Sequence, residues 1–412
     1  MINRRSLLLS GAATAFMAAT PAGATERRMP MVEPHITLGD DVFIRETWRE
    51  LRGRGVGIVT NQSGVLSDGR AFADAAAANS AIAIKALFGP EHGIRGAAAA
   101  GVHVDSSTDE RTGLPVYSLY GANRRPSEAM LAGIDVMLFD IQDVGARPYT
   151  YVSTMAYVME ACAKSGREMW VLDRPNPIGG IAIDGPVLDP RFKSFTGLYP
   201  IPERHGLTVG ELARMINERF GVGATLRVIP MRGWTRDMLW ADTGLHWVPT
   251  SPNIPYGTTP LVYLATGLID QGGVNNAVGT DRPFEYAGGY GFDGPRLADA
   301  LNARQIPGVR FTPATWSPVR GFWAGKTLAG VHLDILDARA FPNVRSALEI
   351  LAAARAQNKF KVASAATMDR DWGTDTVRIA LESGVPADHI LASWQPGLRA
   401  FDAARAAYLL YR

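Results

Sequence analysis

Residues 82–96 read IAIKALF-GPEHGIRG. An apolar run rich in isoleucine stops at Gly89-Pro90, and a carboxylate, an imidazole and a guanidinium follow at once in Glu91, His92 and Arg95. A short apolar stretch closed by turn residues reads as a strand buried on both faces. The same unit recurs on either side. Residues 56–60 lead into Asn61-Gln62-Ser63-Gly64, and residues 134–142 into Asp143-Val144-Gly145-Ala146-Arg147-Pro148-Tyr149-Thr150-Tyr151. Residues 169–173 lead into Arg174-Pro175-Asn176-Pro177. Helical patterns lie between these runs at 43–51, 70–80, 127–132 and 154–165. Strand and helix in alternation predict βαβ units on a parallel sheet. In such a sheet the polar loops share one edge, where ligands bind. Turn-making alone accounts for the glycines and prolines, but poorly for Glu91, His92, Arg95, Arg147, Tyr149 and Tyr151.

Further along, residues 207–220 form another helical pattern, with Thr208 and Glu211 at capping-box spacing, and 226–230 a further strand. The texture changes in residues 248–260, VPTSPNIPYGTTP, whose prolines interrupt regular structure. Beyond them come helical patterns at 294–303, 344–357 and 396–410 and β-like runs at 309–314 and 327–336. The expected organisation is α/β, with a parallel-sheet lobe over 25–250 and a smaller α+β lobe over 251–412.

The first 24 residues have the order of an export signal. Arg4 and Arg5 precede an apolar stretch from Leu7 to Ala19, and Ala22-Gly23-Ala24 offers a cleavage site. The paired arginines point to export in folded form, with general secretion as the alternative, and a Gram-negative periplasm is the expected destination. No membrane anchor is expected after cleavage, since no apolar run in the body reaches the roughly 20 residues of a spanning helix. The single cysteine, Cys162, falls in an apolar helical pattern and has no partner for an internal disulfide.

Composition and motifs narrow the chemistry. A formal net charge of +2 on 412 residues argues against a nucleic-acid partner. The glycines at 53, 55 and 57 precede a strand, whereas a dinucleotide loop follows one. There is no Walker sequence, no GxSxG elbow and no pair of histidines at metal-ligand spacing. Neither a metal nor a cofactor is expected. Carboxylate chemistry remains. A glycosidase needs an acid for the leaving oxygen, and a second carboxylate or the substrate's own acetamide for the cationic centre. Glu91 suits the first role, because partial burial in a Pro-Glu-His-Gly turn would raise its pKa. A capping carboxylate or an ion pair with Arg95 is the alternative.

Taken together, these loops resemble the NamZ family of exo-β-N-acetylmuramidases. The similarity runs from about Val56 to the C-terminus. It is carried by Thr60-Asn61-Gln62-Ser63-Gly64, Leu87-Phe88-Gly89-Pro90-Glu91-His92-Gly93 and the run from Thr112 to Gly121. Phe139 to Arg147, Asp173 to Pro177, Arg204 to Thr208, Ser251 to Pro255 and Pro283-Phe284-Glu285 continue it. The resemblance implies a Rossmann-like catalytic lobe, a smaller second lobe and a cleft between them. It implies removal of terminal β-1,4-linked N-acetylmuramic acid from the non-reducing end of peptidoglycan fragments, with Glu91 as leading catalytic candidate. Asp143 and Glu285, and less directly Asp140, are the possible second carboxylates. The candidate substrate-binding set is Asn61, His92, Arg95, Arg147, Tyr149, Tyr151, Arg204, His205 and Asn253. Arg147 and Arg204 are the expected partners of the muramyl carboxylate. The chain departs from the family at Pro148, in Asp270-Gln271-Gly272-Gly273 and in Ala277-Val278-Gly279-Thr280. A protein that binds muramyl sugars or muropeptides without turnover is the main alternative. A different small-molecule enzyme on the same scaffold is a weaker one.

The export reading has a direct check. Protein isolated from the periplasm should give an intact mass for a chain beginning at Thr25, and a mature protein still carrying Met1 would refute cleavage after Ala24.

Overall fold

The computed structural model describes residues 36–96, 107–121 and 123–412, so the expected signal segment lies outside the described residues. The first half contains α1 (Gly39–Arg45), β1 (Gly55–Thr60), α2 (Phe72–Ala77), β2 (Ala83–Gly89), β3 (Ser107–Thr108), β4 (Pro115–Ser118) and β5 (Val136–Asp140). It continues with α3 (Tyr151–Ser165), β6 (Glu168–Leu172), β7 (Asp184–Val187), β8 (Pro202–Arg204), α4 (Val209–Arg219) and β9 (Thr225–Ile229). Among the described residues the large sheet has the order β3-β4-β2-β1-β5-β6-β9. All its pairings are parallel except that of β3 with β4.

Alternation along each strand builds two cores. Val56 and Ile58 of β1, Val136 and Leu138 of β5, and Trp170 and Leu172 of β6 pack with Phe43 and Phe72 of α1 and α2. Val59, Met137, Phe139, Met169 and Val171 face the other way, onto Met155 and Met159 of α3 and Leu212 and Met215 of α4. Period-two side-chain placement makes continuous apolar runs the natural sequence for a sheet covered on both sides. The expected α/β class with a parallel sheet is what the chain adopts.

The second half holds α5 (Thr259–Thr266), β10 (Tyr286–Gly289), α6 (Gly294–Asn302), β11 (Val309–Trp316), β12 (Leu328–Ile335), α7 (Asn343–Ala356), α8 (Ala365–Trp372), α9 (Thr376–Glu382) and α10 (Ala387–Arg405). Its antiparallel sheet has the order β10-β12-β11. Pro34–Arg412 is one compact unit. The C-terminus returns to the large sheet: the Tyr411 hydroxyl donates to Asp173 Oδ2 at 2.6 Å and accepts from the Met231 amide at 2.9 Å.

Several boundaries differ from expectation. Residues 127–132 make turns rather than a helix, with the Leu131 amide on the Ser127 carbonyl and Gly133 in the left-handed region. The pattern over 43–51 splits at Glu46, whose φ of −127° ends α1 before a 3-10 turn at Thr47–Leu51. The last helix begins at Ala387, so Pro396 stands inside it. A proline there forfeits one helical hydrogen bond, and burial of Trp394, Leu398 and Phe401 outweighs that loss.

The Tyr411 latch supports a quantitative expectation. Tyr411→Phe leaves the ring and removes two buried hydrogen bonds, one to a carboxylate. Chemical denaturation should report a loss of about 1–3 kcal/mol, and an unchanged midpoint would mean the C-terminus is not held this way.

Candidate functional site

The chain runs outward from β1 to β2 and β4 on one side of the large sheet, and through β5, β6 and β9 on the other. The order therefore reverses between β1 and β5, the place where open parallel sheets form a crevice at their C-terminal edge. The loops after β1, β2 and β5 meet there.

The loop after β2 is a tight turn in which the Gly93 amide donates to the Pro90 carbonyl at 3.0 Å. His92 has φ 75°, a left-handed conformation that costs a residue with a Cβ about 1–3 kcal/mol and concentrates at functional sites. The Leu119 amide donates to the Gly89 carbonyl at 2.8 Å, fastening the end of β2 to the segment after β4. Tyr120 consequently meets Glu91. Its phenol is pushed up first by burial, then by the Glu91 charge and a hydrogen bond to it.

Facing this turn is a set of buried polar groups on the neighbouring loops. Asn61 Oδ1 accepts from the Ser63 amide and hydroxyl at 2.9 and 2.6 Å, and Ser63 Oγ accepts from the Gln142 amide at 3.1 Å. Asp143 Oδ2 accepts from the Gly145 amide at 2.7 Å and lies 3.7 Å from His205 Nε2. Gly145 has φ 81°, and a Cβ there would collide with the Asn176 side-chain oxygen, so the turn requires glycine. His205 Nδ1 accepts from the Leu207 amide at 3.2 Å, which leaves the proton of the neutral ring on Nε2. Among the described residues Asn61 Nδ2, Gln142 Oε1, Asp143 Oδ1 and His205 Nε2 are buried with no hydrogen bond of ordinary geometry, although Asn61 lies close enough to the Tyr151 hydroxyl to oppose the rise in its pKa. Two donors and two acceptors left open at one sheet edge are suited to a polar, hydroxyl-rich ligand.

Aromatic groups close the edge. Tyr149 and Tyr151 meet edge to face at 4.8 Å, and their hydroxyls donate to Thr250 Oγ1 and to its carbonyl at 2.7 and 2.6 Å. Gln62 Nε2 donates to the carbonyls of Pro249 and Thr250, at 2.9 and 3.0 Å. The proline-rich segment is thereby pinned over the crevice. Burial pushes the Tyr151 phenol up, and the charges of both Glu91 and Asp143 add to the effect. Both carboxylates therefore act on this one hydroxyl.

Other expected site residues are engaged elsewhere. Arg147, a candidate for the muramyl carboxylate, is buried against Glu203 and donates to the Thr196 and Asp371 carbonyls. Burial pushes its pKa down to about 10. Arg204 is also buried, donating to Asn343 Oδ1 at 2.6 Å and the Ile178 carbonyl at 2.5 Å, and burial again lowers its pKa to about 10. The terminal nitrogens that bond in both arginines are taken by the protein's own acceptors, while the Nε of each is buried without a hydrogen-bond partner among the described residues. Arg95 forms ion pairs with Asp109 and Asp74 at 2.7 and 2.6 Å. Asp140 Oδ1 accepts from Arg174 at 2.6 Å. Glu285, at the start of β10, is 3.2 Å from both His332 and Arg282, and its carboxyl is lowered chiefly by His332. Asn253 sits at the outer end of the pinned segment, where its Oδ1 accepts from Arg320 at 2.9 Å. Gln62, Tyr120, Gln142, Thr250 and Tyr263 belong to the site without having been singled out. Gln62, Tyr120 and Gln142 did lie within quoted motifs.

Among the described residues no group of three or more His, Cys, Asp or Glu is placed to hold a metal ion. Residues 56–258 match the model described as exo-beta-N-acetylmuramidase NamZ, N-terminal, and residues 261–411 match its C-terminal counterpart. The peptidoglycan beta-N-acetylmuramidase NamZ of Bacillus subtilis (strain 168) is 39% identical over 395 residues, 95% of each chain. A crystal structure of a DUF1343 family protein from Bacteroides fragilis superposes with a TM-score of 0.87 at 34% identity, covering 92% of this chain and 99% of that one. A second from the same organism has a TM-score of 0.72 at 29% identity and the same coverage. With both family models matched in order along one chain, this protein belongs to the NamZ exo-beta-N-acetylmuramidase family.

Proposed function

We propose that this chain is an exo-acting glycoside hydrolase that releases terminal β-1,4-linked N-acetylmuramic acid from peptidoglycan-derived glycans or muropeptides, in the periplasm, during cell-wall turnover. Membership of the family supports the reaction class. The observation that carries the reading at the site is geometric: the loops bearing Glu91 and Asp143 leave the strands on either side of β1, where the sheet order reverses, and Asp143 is held there by the Gly145 amide 3.7 Å from His205 Nε2. Residues 25–250 carry the catalytic lobe in this reading, and 251–412 the auxiliary one.

Glu91 protonates the glycosidic oxygen as the bond from that oxygen to the anomeric carbon breaks. The departing sugar then carries the proton, and positive charge develops on the ring left behind. Asp143, oriented by the Gly145 amide and facing His205, supplies negative charge to that centre. Water then adds its oxygen to the anomeric carbon and gives up a proton to the carboxylates of the site, which restores Glu91 to its acid form for the next turnover. Asn61, Gln142 and His205 offer the open donors and acceptors that hold the sugar's hydroxyl and acetamide groups. His92 shapes the Glu91 turn.

Glu91→Gln keeps the side-chain shape and removes the proton. Turnover of a natural disaccharide should fall about 10²- to 10⁴-fold. An aryl N-acetylmuramide with a good leaving group should suffer less, because it needs less protonation. Near-wild-type turnover of the disaccharide by the folded variant would remove Glu91 from the acid role. Tight binding of muramyl peptides by wild-type protein that releases no aryl group would favour the binding-protein reading.

A further inference from the structure

The arginines that sequence reasoning assigned to the muramyl carboxylate are buried in internal bonds, which leaves open what recognises that charge. The β11–β12 hairpin supplies a group. Its loop, residues 317–327, is fastened to the segment before β10: the Val319 amide donates to the Gly279 carbonyl at 2.9 Å, and Asn275 Nδ2 to the Phe322 carbonyl at 3.1 Å. Trp316 Nε1 donates to Asn275 Oδ1 at 3.0 Å. From this fixed base the exposed Arg320 reaches Asn253 Oδ1. Asn253 is three residues from Thr250, the residue held by Tyr149 and Tyr151 beside Glu91.

Beneath Arg320 lies a cavity of about 510 Å³, lined in part by Thr280, Asp281, Tyr286 and Trp316. That is within the range of roughly 300–1,000 Å³ seen for small-molecule sites. Tyr286 and Trp316 stack with centroids 5.2 Å apart and planes at 26°; Trp316 is buried, so this shelf presents the half-buried Tyr286 ring to the cavity, an apolar surface against which a sugar's C–H bonds can pack. A ladder of rings links this shelf to the catalytic edge. Tyr149 follows Tyr151 at 4.8 Å, Tyr263 follows at 5.9 Å and Phe284 at 5.0 Å, and Phe284 is two residues from Tyr286. Phe284 and Ala277 hold φ of 69° and 61°, strained conformations that bracket the cavity wall. Among the described residues Arg320 makes no ion pair, although Asp281 shares the wall, and its side chain bonds only the neutral Asn253 amide. The guanidinium fork is therefore available for an anion, and it matches a carboxylate with two parallel hydrogen bonds.

We propose that Arg320 recognises the carboxylate that distinguishes N-acetylmuramic acid from N-acetylglucosamine, with the sugar's outer face on the Tyr286–Trp316 shelf. This rests on the muramyl-sugar reading above and adds a specificity-determining residue to it.

Calorimetric titration of the full mature protein with N-acetylmuramic acid and N-acetylglucosamine tests it without requiring turnover. Wild-type protein should prefer the acid sugar by about tenfold, the value expected of a charge-assisted bond weakened by solvent. Arg320→Ala should lose that preference and bind N-acetylglucosamine as before, while Arg320→Lys recovers part of it. Lys326→Ala, which removes an exposed cation from the same loop outside the cavity lining, should match wild type. The methyl ester of N-acetylmuramic acid should lose the same factor on wild-type protein, which keeps the test independent of any variant's folding. An unchanged preference in Arg320→Ala, equal loss of both sugars, or an ester bound as tightly as the acid would each overturn the proposal. If wild-type protein shows the Arg320-dependent preference but releases nothing from an aryl N-acetylmuramide, the hydrolase reading fails and this one stands. Release with Arg320-independent binding has the opposite meaning.

Discussion

The sheet edge that forms the candidate site depends on one buried guanidinium. Arg174 donates to Asp140 Oδ1 and Asp40 Oδ2, each at 2.6 Å, and to the Val65 carbonyl at 3.0 Å. It thereby joins the loop after β6, the end of β5, the start of α1 and the loop after β1. All three charged side chains are inaccessible or nearly so. Burial drives both carboxyls upward in pKa, and the guanidinium opposes that drift. Taking such ions out of water costs several kcal/mol each, so the cluster adds little net stability over an apolar core. Its effect is geometric. Once the charges are inside, any displacement of one loop leaves another uncompensated. Asn61, Gln142 and Asp143 hang from loops that this arginine ties together, and the bond from Thr60 Oγ1 to the Asp140 carbonyl at 3.0 Å adds to the restraint.

The same economy recurs below the edge. Arg236 and Arg405 both donate to the Gly180 and Gly206 carbonyls, and Arg405 also to that of His205. The His205 carbonyl is thus held by Arg405, and the adjacent Gly206 carbonyl by both arginines, from distant parts of the sequence. The His205 ring can then present Nε2 to Asp143 without help from a mobile loop. Preorganised dipoles and charges act on a developing cation without reorganising at the moment of reaction. A chain that commits so many arginines to its own carbonyls and carboxylates gains this rigidity and gives up those arginines as ligand contacts.

That trade explains what was legible in the sequence and what was not. Largely apolar runs at 56–60, 134–142 and 169–173 declare a doubly covered sheet, because burial on both faces confines polar residues to the strand ends. Thr208 and Glu211 declare their helix start, and the structure contains that capping box. Strand β4 was read only as a motif, since its four residues alternate in burial too briefly for a period to show. Helix α10 was read too short, because proline at 396 imitates a helix start. The placement of Glu91, Asn61 and Asp143 at one edge followed from the strand-loop pattern alone. The state of Arg147 and Arg204 did not, because an arginine in a glycine- and proline-rich loop looks the same in sequence whether its fork faces a ligand or a buried glutamate. Burial decides, and burial depends on residues such as Glu203 and Asn343 that are remote in the chain.

The two kinds of site ask for different supports. Proton transfer to a glycosidic oxygen tolerates little misplacement, and a shift of about 1 Å can cost two orders of magnitude. The groups proposed for it sit on strand ends and turns locked by buried ions. Recognition of a peripheral carboxylate needs only a cation within reach, and an exposed side chain on a braced hairpin meets that need at small structural cost. The Asn253–Arg320 bond is where the two systems touch, since it connects the hairpin to the segment that Gln62, Tyr149 and Tyr151 hold over the crevice. Changes in the hairpin are thereby free to alter which sugar is accepted while the Arg174 cluster keeps the chemistry in place.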